Sequence, residues 1–171
     1  MTDSFKRKVI SWLIIGTGLL VALVCVVVQY RSHAVPKVEP VTKFSIMPKK
    51  RVKYSIETLG LKNRDYTEIS GWIFVKGQEP QKFVTSLVLY TKDSKEVQIF
   101  PLKMEDRNDV AKMRGKAGVY NYMNSGFHGY IPRKYMTNEK EKKYKIGFLV
   151  ANKQQTDLVK TGIDYKVGGV K

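Results

Sequence analysis

Cysteine occurs once in this chain and histidine only twice. The lone Cys25 lies inside an apolar stretch, where it reads as a small apolar filler. No disulfide can close within the chain and no cysteine metal site can be built. With His33 and His128 as the whole histidine supply, a histidine-rich metal centre or a hydrolytic triad lacks its parts. The G-x-S-x-G elbow, the H-E-x-x-H helix and the phosphate-cradling P-loop are missing as well. These gaps predict a protein that is not an enzyme and has no cofactor. Acidic residues are also scarce, 15 against 31 lysines and arginines, which leaves a formal net charge of +16. The chain has neither an internal repeat nor a low-complexity tail.

What the sequence does contain is a charge-free run, Val9 to Tyr30, VISWLIIGTGLLVALVCVVVQY. At about 1.5 Å per helical residue it spans roughly 33 Å, enough for a hydrocarbon core of about 30 Å. A backbone in lipid must satisfy its own hydrogen bonds, so a transmembrane helix is expected, with Trp12 and Tyr30 near its two ends. The preceding Lys6, Arg7 and Lys8 and the following Ser32-His33-Ala34 loosely fit a cleaved signal peptide. Its apolar region is too long for one, and an uncleaved anchor is preferred. Gly18-x-x-x-Ala22 has the spacing of a helix-packing motif, although small residues are ordinary in such helices.

Orientation follows from charge placement. Three Lys/Arg precede the helix and abut it; Arg31, Lys37 and Lys43 follow it more loosely. A cytoplasmic N-terminus with the bulk of the chain outside is predicted, because long domains translocate largely regardless of charge. The absence of paired cysteines fits an envelope whose secreted proteins commonly lack them, as in Gram-positive bacteria.

Four segments are expected: a stub at 1–8, the transmembrane helix at 9–30, a basic proline-containing linker at 31–53, and a globular domain at 54–171. The linker has Pro36, Pro40 and Pro48, no period, and seven Lys/Arg against Glu39 alone. Its Lys49, Lys50, Arg51 and Lys53 are candidates for contact with anionic lipid or polymer. The remaining 118 residues are enough for one hydrophobic core.

Apolar runs in that domain are short and rich in β-branched and aromatic residues. Seven strands are predicted, over 54–59, 67–75, 83–91, 96–100, 126–131, 144–150 and 158–167, bounded by Gly, Pro, Asn and Asp. The third is the most continuous and is placed centrally. Asn108 or Asp109 caps a short helix through Val110-Ala-Lys-Met-Arg114, stopped by Gly115, and Asn138 to Lys143 reads as a solvated hairpin loop. The fold class expected is all-β, an antiparallel immunoglobulin-like β-sandwich of about seven strands behind one N-terminal transmembrane helix.

Four strings support that class: Glu68-Ile-Ser-Gly-Trp72, Arg107-Asn-Asp-Val110, Ser125-Gly-Phe127 and Tyr144-Lys-Ile-Gly147. Their order resembles the immunoglobulin-like β-sandwich modules of bacterial surface-glycan and cell-wall polymer proteins, over roughly Thr67 to Val150. The chain departs from that pattern at Lys143, where the modules have glycine. The resemblance implies a sandwich fold and a cell-envelope context.

Two patterns bear on ligands. Glu105-Asp-Arg-Asn-Asp109 clusters oxygens as a calcium site would, but Arg107 interrupts it and the turn glycine is missing. Pairing of Arg107 with a nearby carboxylate is the expectation there. Gly118 to Tyr130, GVYNYMNSGFHGY, offers ring faces for stacking on sugars and amides for hydroxyls. Its candidate ligand-binding residues are Tyr120, Asn121, Tyr122, Asn124, His128 and Tyr130, with tyrosines merely packing the loop as the alternative. Basic charge with aromatics also suits nucleic acid, but a domain outside the cell excludes that partner. The expected partners are the membrane and an anionic cell-wall polymer or surface glycan. The alternative is a structural or regulatory subunit whose helix pairs with a multi-pass membrane enzyme or transporter that assembles or exports envelope polymer.

Overall fold

A computed structural model describes residues 3–80, 85–114, 120–136, 143–151 and 156–166. The expected stop at Gly115, most of the charged loop at 138–143 and the ends of two predicted strands lie outside these residues. The chain forms two compact units, Met1–Val35 and Pro36–Lys171.

The first unit is a single helix, α1 (Asp3–Ala34). Its Val9–Tyr30 portion is long and apolar enough to cross a membrane. Leu, Ile and Val side chains are exposed along it, so burial against protein is not what makes it apolar. Thr17 returns its hydroxyl to the Leu13 carbonyl at 2.8 Å, which keeps even the polar side chain satisfied within the helix.

The second unit is mostly β, with ten strands in two sheets among the described residues. They are β1 (Lys37–Pro40), β2 (Ser45–Ile46), β3 (Val52–Leu61), β4 (Tyr66–Val75), β5 (Thr85–Tyr90), β6 (Glu96–Pro101), β7 (Lys103–Glu105), β8 (Gly126–Pro132), β9 (Lys145–Ala151) and β10 (Thr156–Asp164). A six-stranded sheet runs β1-β6-β5-β9-β10-β2 and a four-stranded sheet β3-β4-β8-β7. All neighbours are antiparallel except β2 and β10, which are parallel. The seven predicted strands are β3, β4, β5, β6, β8, β9 and β10.

The common core forms where alternate residues of both sheets face each other. Leu87, Leu89, Phe100, Ile146, Phe148 and Val159 from one meet Ile69, Ile73, Val75, Phe127 and Ile131 from the other. Phe127 and Phe148 touch across the interface with ring centroids 5.1 Å apart. Burying each such side chain is worth about 1.5–3 kcal/mol. Tyr165 donates its hydroxyl to Thr67 at 2.9 Å, which pairs these two buried hydroxyls within the core.

The stretch expected as a linker is corrected by the structure. From Pro36 it belongs to the folded unit: β1 pairs with β6, β2 with β10, and Met47 and Val52 enter the core. Val41 and Phe44 close over Val88, Tyr90, Val97, Leu149 and Leu158 on the outer face of the six-stranded sheet. Glu39, its single acid, takes both Lys37 and Lys43 at 2.8 and 3.0 Å. Such short pairings carry no period of their own. They exist because distant strands offer an edge, and prolines are tolerated there.

One short helix, α2 (Asn108–Arg114), follows β7 as expected. Its Val110 is fully buried against Phe74 and Tyr122 on the outer face of the four-stranded sheet.

Candidate ligand-binding face

Strand register decides which side chains share the outer face of the four-stranded sheet. The core takes Thr67, Ile69, Gly71, Ile73 and Val75 from β4, so Tyr66, Glu68, Ser70, Trp72 and Phe74 point outward. Glu68 lies opposite Tyr130 of β8, and Ser70 opposite His128. His128 lies in turn opposite Lys103 of β7, and Lys53 of β3 opposite Phe74.

Arg107 crosses this face at the level of Gly126. A Cβ at residue 126 would stand 2.6 Å from the Glu105 carbonyl and 2.7 Å from Arg107 Cγ, so only glycine lets the arginine lie flat. Beyond it the guanidinium forks onto Glu57 at 2.7 and 2.8 Å and onto Asp109 at 2.6 and 2.8 Å. Glu57 is the extra residue of a bulge in β3 between Ile56 and Thr58. The two carboxylates push the Arg107 pKa up, and the guanidinium holds Asp109 down at about 2. The expected pairing of Arg107 with a carboxylate is thus what forms. Among the described residues no group of three or more His, Cys, Asp or Glu is placed to hold a metal.

To one side of Arg107 the face is covered. Trp72, Phe74, Tyr122 and Tyr120 form a column of four nearly parallel rings, with successive centroids 5.7, 4.0 and 6.3 Å apart and interplanar angles of 16–18°. The Tyr122 hydroxyl accepts the Gly77 amide at 3.1 Å, and the Asn121 amide donates to Glu79 at 3.0 Å. Tyr122 is only 5% exposed, with Phe74 and Tyr120 stacked on its ring. It has no face to give a sugar, and the expectation that it contacts ligand is corrected to a packing role. The Asn121 side chain closes a turn onto the Met123 amide, and Asn124 is half-buried in a 3-10 turn. Tyr120, 37% exposed, is the accessible end of the column.

To the other side the face is open. His128 Nε2 lies 2.8 Å from Glu68 Oε1, and Lys62 Nζ 3.3 Å from Glu68 Oε2. These two partners, His128 foremost, hold the Glu68 carboxyl below its ordinary range. Tyr130 stands edge-on to His128 at 4.8 Å and to Tyr66 at 6.4 Å, and is 41% exposed. This gives a ring surface beside a carboxylate, an imidazole and an ammonium, a set suited to a hydroxyl-rich ligand.

The six candidates from the Gly118–Tyr130 stretch therefore separate. Glu68 and Phe74 are six residues apart on one strand, about 20 Å at roughly 3.3 Å per residue. Tyr120, Asn121 and Tyr122 belong to the far end, His128 and Tyr130 to the open one. Tyr66, Glu68, Lys62 and Lys103 are not among the ligand-binding candidates drawn from the sequence. The outward half of the β4 alternation carried the signal for the first two.

The basic candidates separate as well. Lys49, Lys50 and Arg51 form a 3-10 turn between β2 and β3, while Lys53 lies on the covered end of the sheet face. Lys76 joins that turn through its amide, 2.8 Å from the Arg51 carbonyl. Lys49 instead reaches Gly162 of β10. A further concavity of about 690 Å³ opens beside the β5–β6 turn, where Gln98 Oε1 is buried without a hydrogen-bond partner among the described residues. Set against known proteins, the chain matches no protein-family profile, no curated protein and no solved structure.

Proposed function

We propose that this is a single-pass membrane-anchored, non-catalytic binding protein of a bacterial cell envelope, of the Gram-positive kind. Its N-terminus is cytoplasmic and its immunoglobulin-like domain extracytoplasmic, and that domain engages an anionic wall polymer or surface glycan. The observation that carries the reading is the open sheet face, where Tyr130 stands exposed beside the Glu68–His128–Lys62 group. Charge supports it. Residues 36–171 hold 27 lysines and arginines against 14 acids, so the excess belongs to the folded unit. A basic surface draws an anionic polymer from a distance but is screened over roughly 8 Å at physiological salt, whereas ring stacking is not.

The test is a salt titration of purified wall polymer against the full-length chain in nonionic detergent. Tyr130→Ala is expected to weaken binding at every salt concentration, and Lys50→Gln with Arg51→Gln only at low salt. Unchanged binding by both variants removes the proposed face. If no polymer binds and the chain instead copurifies with a multi-pass membrane protein, the subunit reading replaces this one. For orientation, Asp93→Cys in a Cys25→Ser background is expected to react with a membrane-impermeant thiol reagent on intact, wall-stripped cells. Labelling only after lysis reverses the topology.

A further inference from the structure

The β10 strand breaks register between Lys160 and Asp164, and the break holds an exposed Gly162 with φ of +78°. That is left-handed backbone, the glycine form of a strand bulge. Lysines from separate parts of the chain converge on it. Lys145 of β9 places Nζ 3.3 Å from the Gly162 carbonyl and 2.7 Å from Asp164. Lys49, from the turn before β3, brings its ammonium to 3.0 Å from where a Cβ on residue 162 would stand. Lys160 lies over the Tyr90 ring, 5.4 Å from its centroid, while the Tyr90 hydroxyl accepts the Gly162 amide at 3.3 Å. Lys143 and Lys166 act on Asp164 from nearby.

Lys49, Lys145 and Lys160 thus gather about the bulge, and the carboxylate beside it, Asp164, is met by Lys145, with Lys143 and Lys166 near. Asp164 pairs with Lys145, whereas neither Lys49 nor Lys160 forms an ion pair among the described residues. Repulsion of this kind destabilises the folded protein unless an anion relieves it, and lysine is a natural point-charge partner for phosphate. Tyr90 fixes the bulge from beneath and props Lys160, so the cluster has a built floor rather than being a chance of loose surface chains.

We infer that the Gly162 bulge, with Lys49, Lys145 and Lys160, is a binding site for a phosphate group. Deepening the anionic-polymer reading and resting on it, this site takes the phosphates, while the Tyr130 face on the other sheet takes sugar hydroxyls. The phosphate can come from a polymer or from a lipid headgroup.

The experiment measures binding of polyphosphate, and separately of dihexanoyl phosphatidylglycerol, to the full-length chain in nonionic detergent by calorimetry. Near an anionic surface each lysine is worth about a five-fold change in affinity. Lys49→Gln with Lys160→Gln is expected to lower polyphosphate affinity roughly 25-fold, against roughly two-fold for the equally charged control Lys95→Gln with Lys112→Gln. Gly162→Ala, which crowds Lys49 without altering charge, lowers it too in protein that still melts cooperatively. Tighter binding of polyphosphate assigns the source to a polymer, and tighter binding of the short-chain lipid assigns it to a headgroup; either supports the site. If both double variants weaken binding equally, the site is overturned and the polymer reading stands. If the parent binds neither probe nor wall polymer, both fall.

Discussion

The two sheets of this protein share one core and differ in their outer faces. On the six-stranded sheet, Val88, Tyr90, Val97, Leu149 and Leu158 point outward and are roofed by Val41 and Phe44. On the four-stranded sheet the outward positions include Tyr66, Glu68, Ser70, His128 and Tyr130, with an apolar patch at Trp72 and Phe74. That patch is roofed by Val110 and Tyr122. The composition of the outward residues decides where a sheet needs a second cover. Strands that are apolar on both faces, such as β5 and β9, demand one, whereas the alternating β4 leaves a face for solvent and ligand.

The strongest way to break this comparison is to remove the roof of the six-stranded sheet. A soluble chain beginning at Tyr54 loses β1, β2, Met47 and Val52 along with Val41 and Phe44. It is expected to show no cooperative thermal transition by circular dichroism, while one beginning at Pro36 melts cooperatively as a β protein. A sharp transition from the shorter chain would return residues 36–53 to the status of a linker.

On the other sheet the contrast lies between two tyrosines. Tyr122→Ala opens a buried ring stack and is expected to cost about 3–5 kcal/mol in urea unfolding. Tyr130→Ala, on the open face, should cost about 0.5 kcal/mol or less while reducing ligand binding. Equal destabilisation would show that the open face is packing rather than a site. Phe44→Ala, trimming a half-buried roof residue, falls between them at about 2 kcal/mol.

The smallest effect is electrostatic. Asp109, ordinarily near 3.8, is held at about 2 by Arg107. A depressed carboxyl stabilises the folded state above its unfolded value, and this contribution is lost as pH falls from about 4 through about 2. Arg107→Gln should flatten that part of the acid-unfolding curve and free the α2 end of the roof. A curve parallel to the parent's would deny the arginine this role. Glu68, also lowered, adds loss of the same sign, which His128→Ala should reduce.

Much of the architecture was legible in residues 9–30 and in the seven apolar runs, because helix length and strand alternation are local properties. A charge-free stretch long enough to span lipid, and a period of two, do not depend on what lies opposite. The short α2 after Asn108 was legible for the same reason. What tertiary structure alone decided involves partners far apart in sequence. Residues 37–40 and 45–46 carry no pattern of their own and become strands because β6 and β10 offer open edges. Tyr122 and Tyr130 look alike in one stretch, yet about 20 Å separates their ends of the sheet, and only the ring stack on Phe74 closes Tyr122 to ligand. Lys49 sits in a run with Lys50 and Arg51, but its ammonium comes to the Gly162 bulge that Lys145 also reaches, more than ninety residues on. Periodicity names the strands; which faces end up covered, and which charges end up together, depends on how the strands pair.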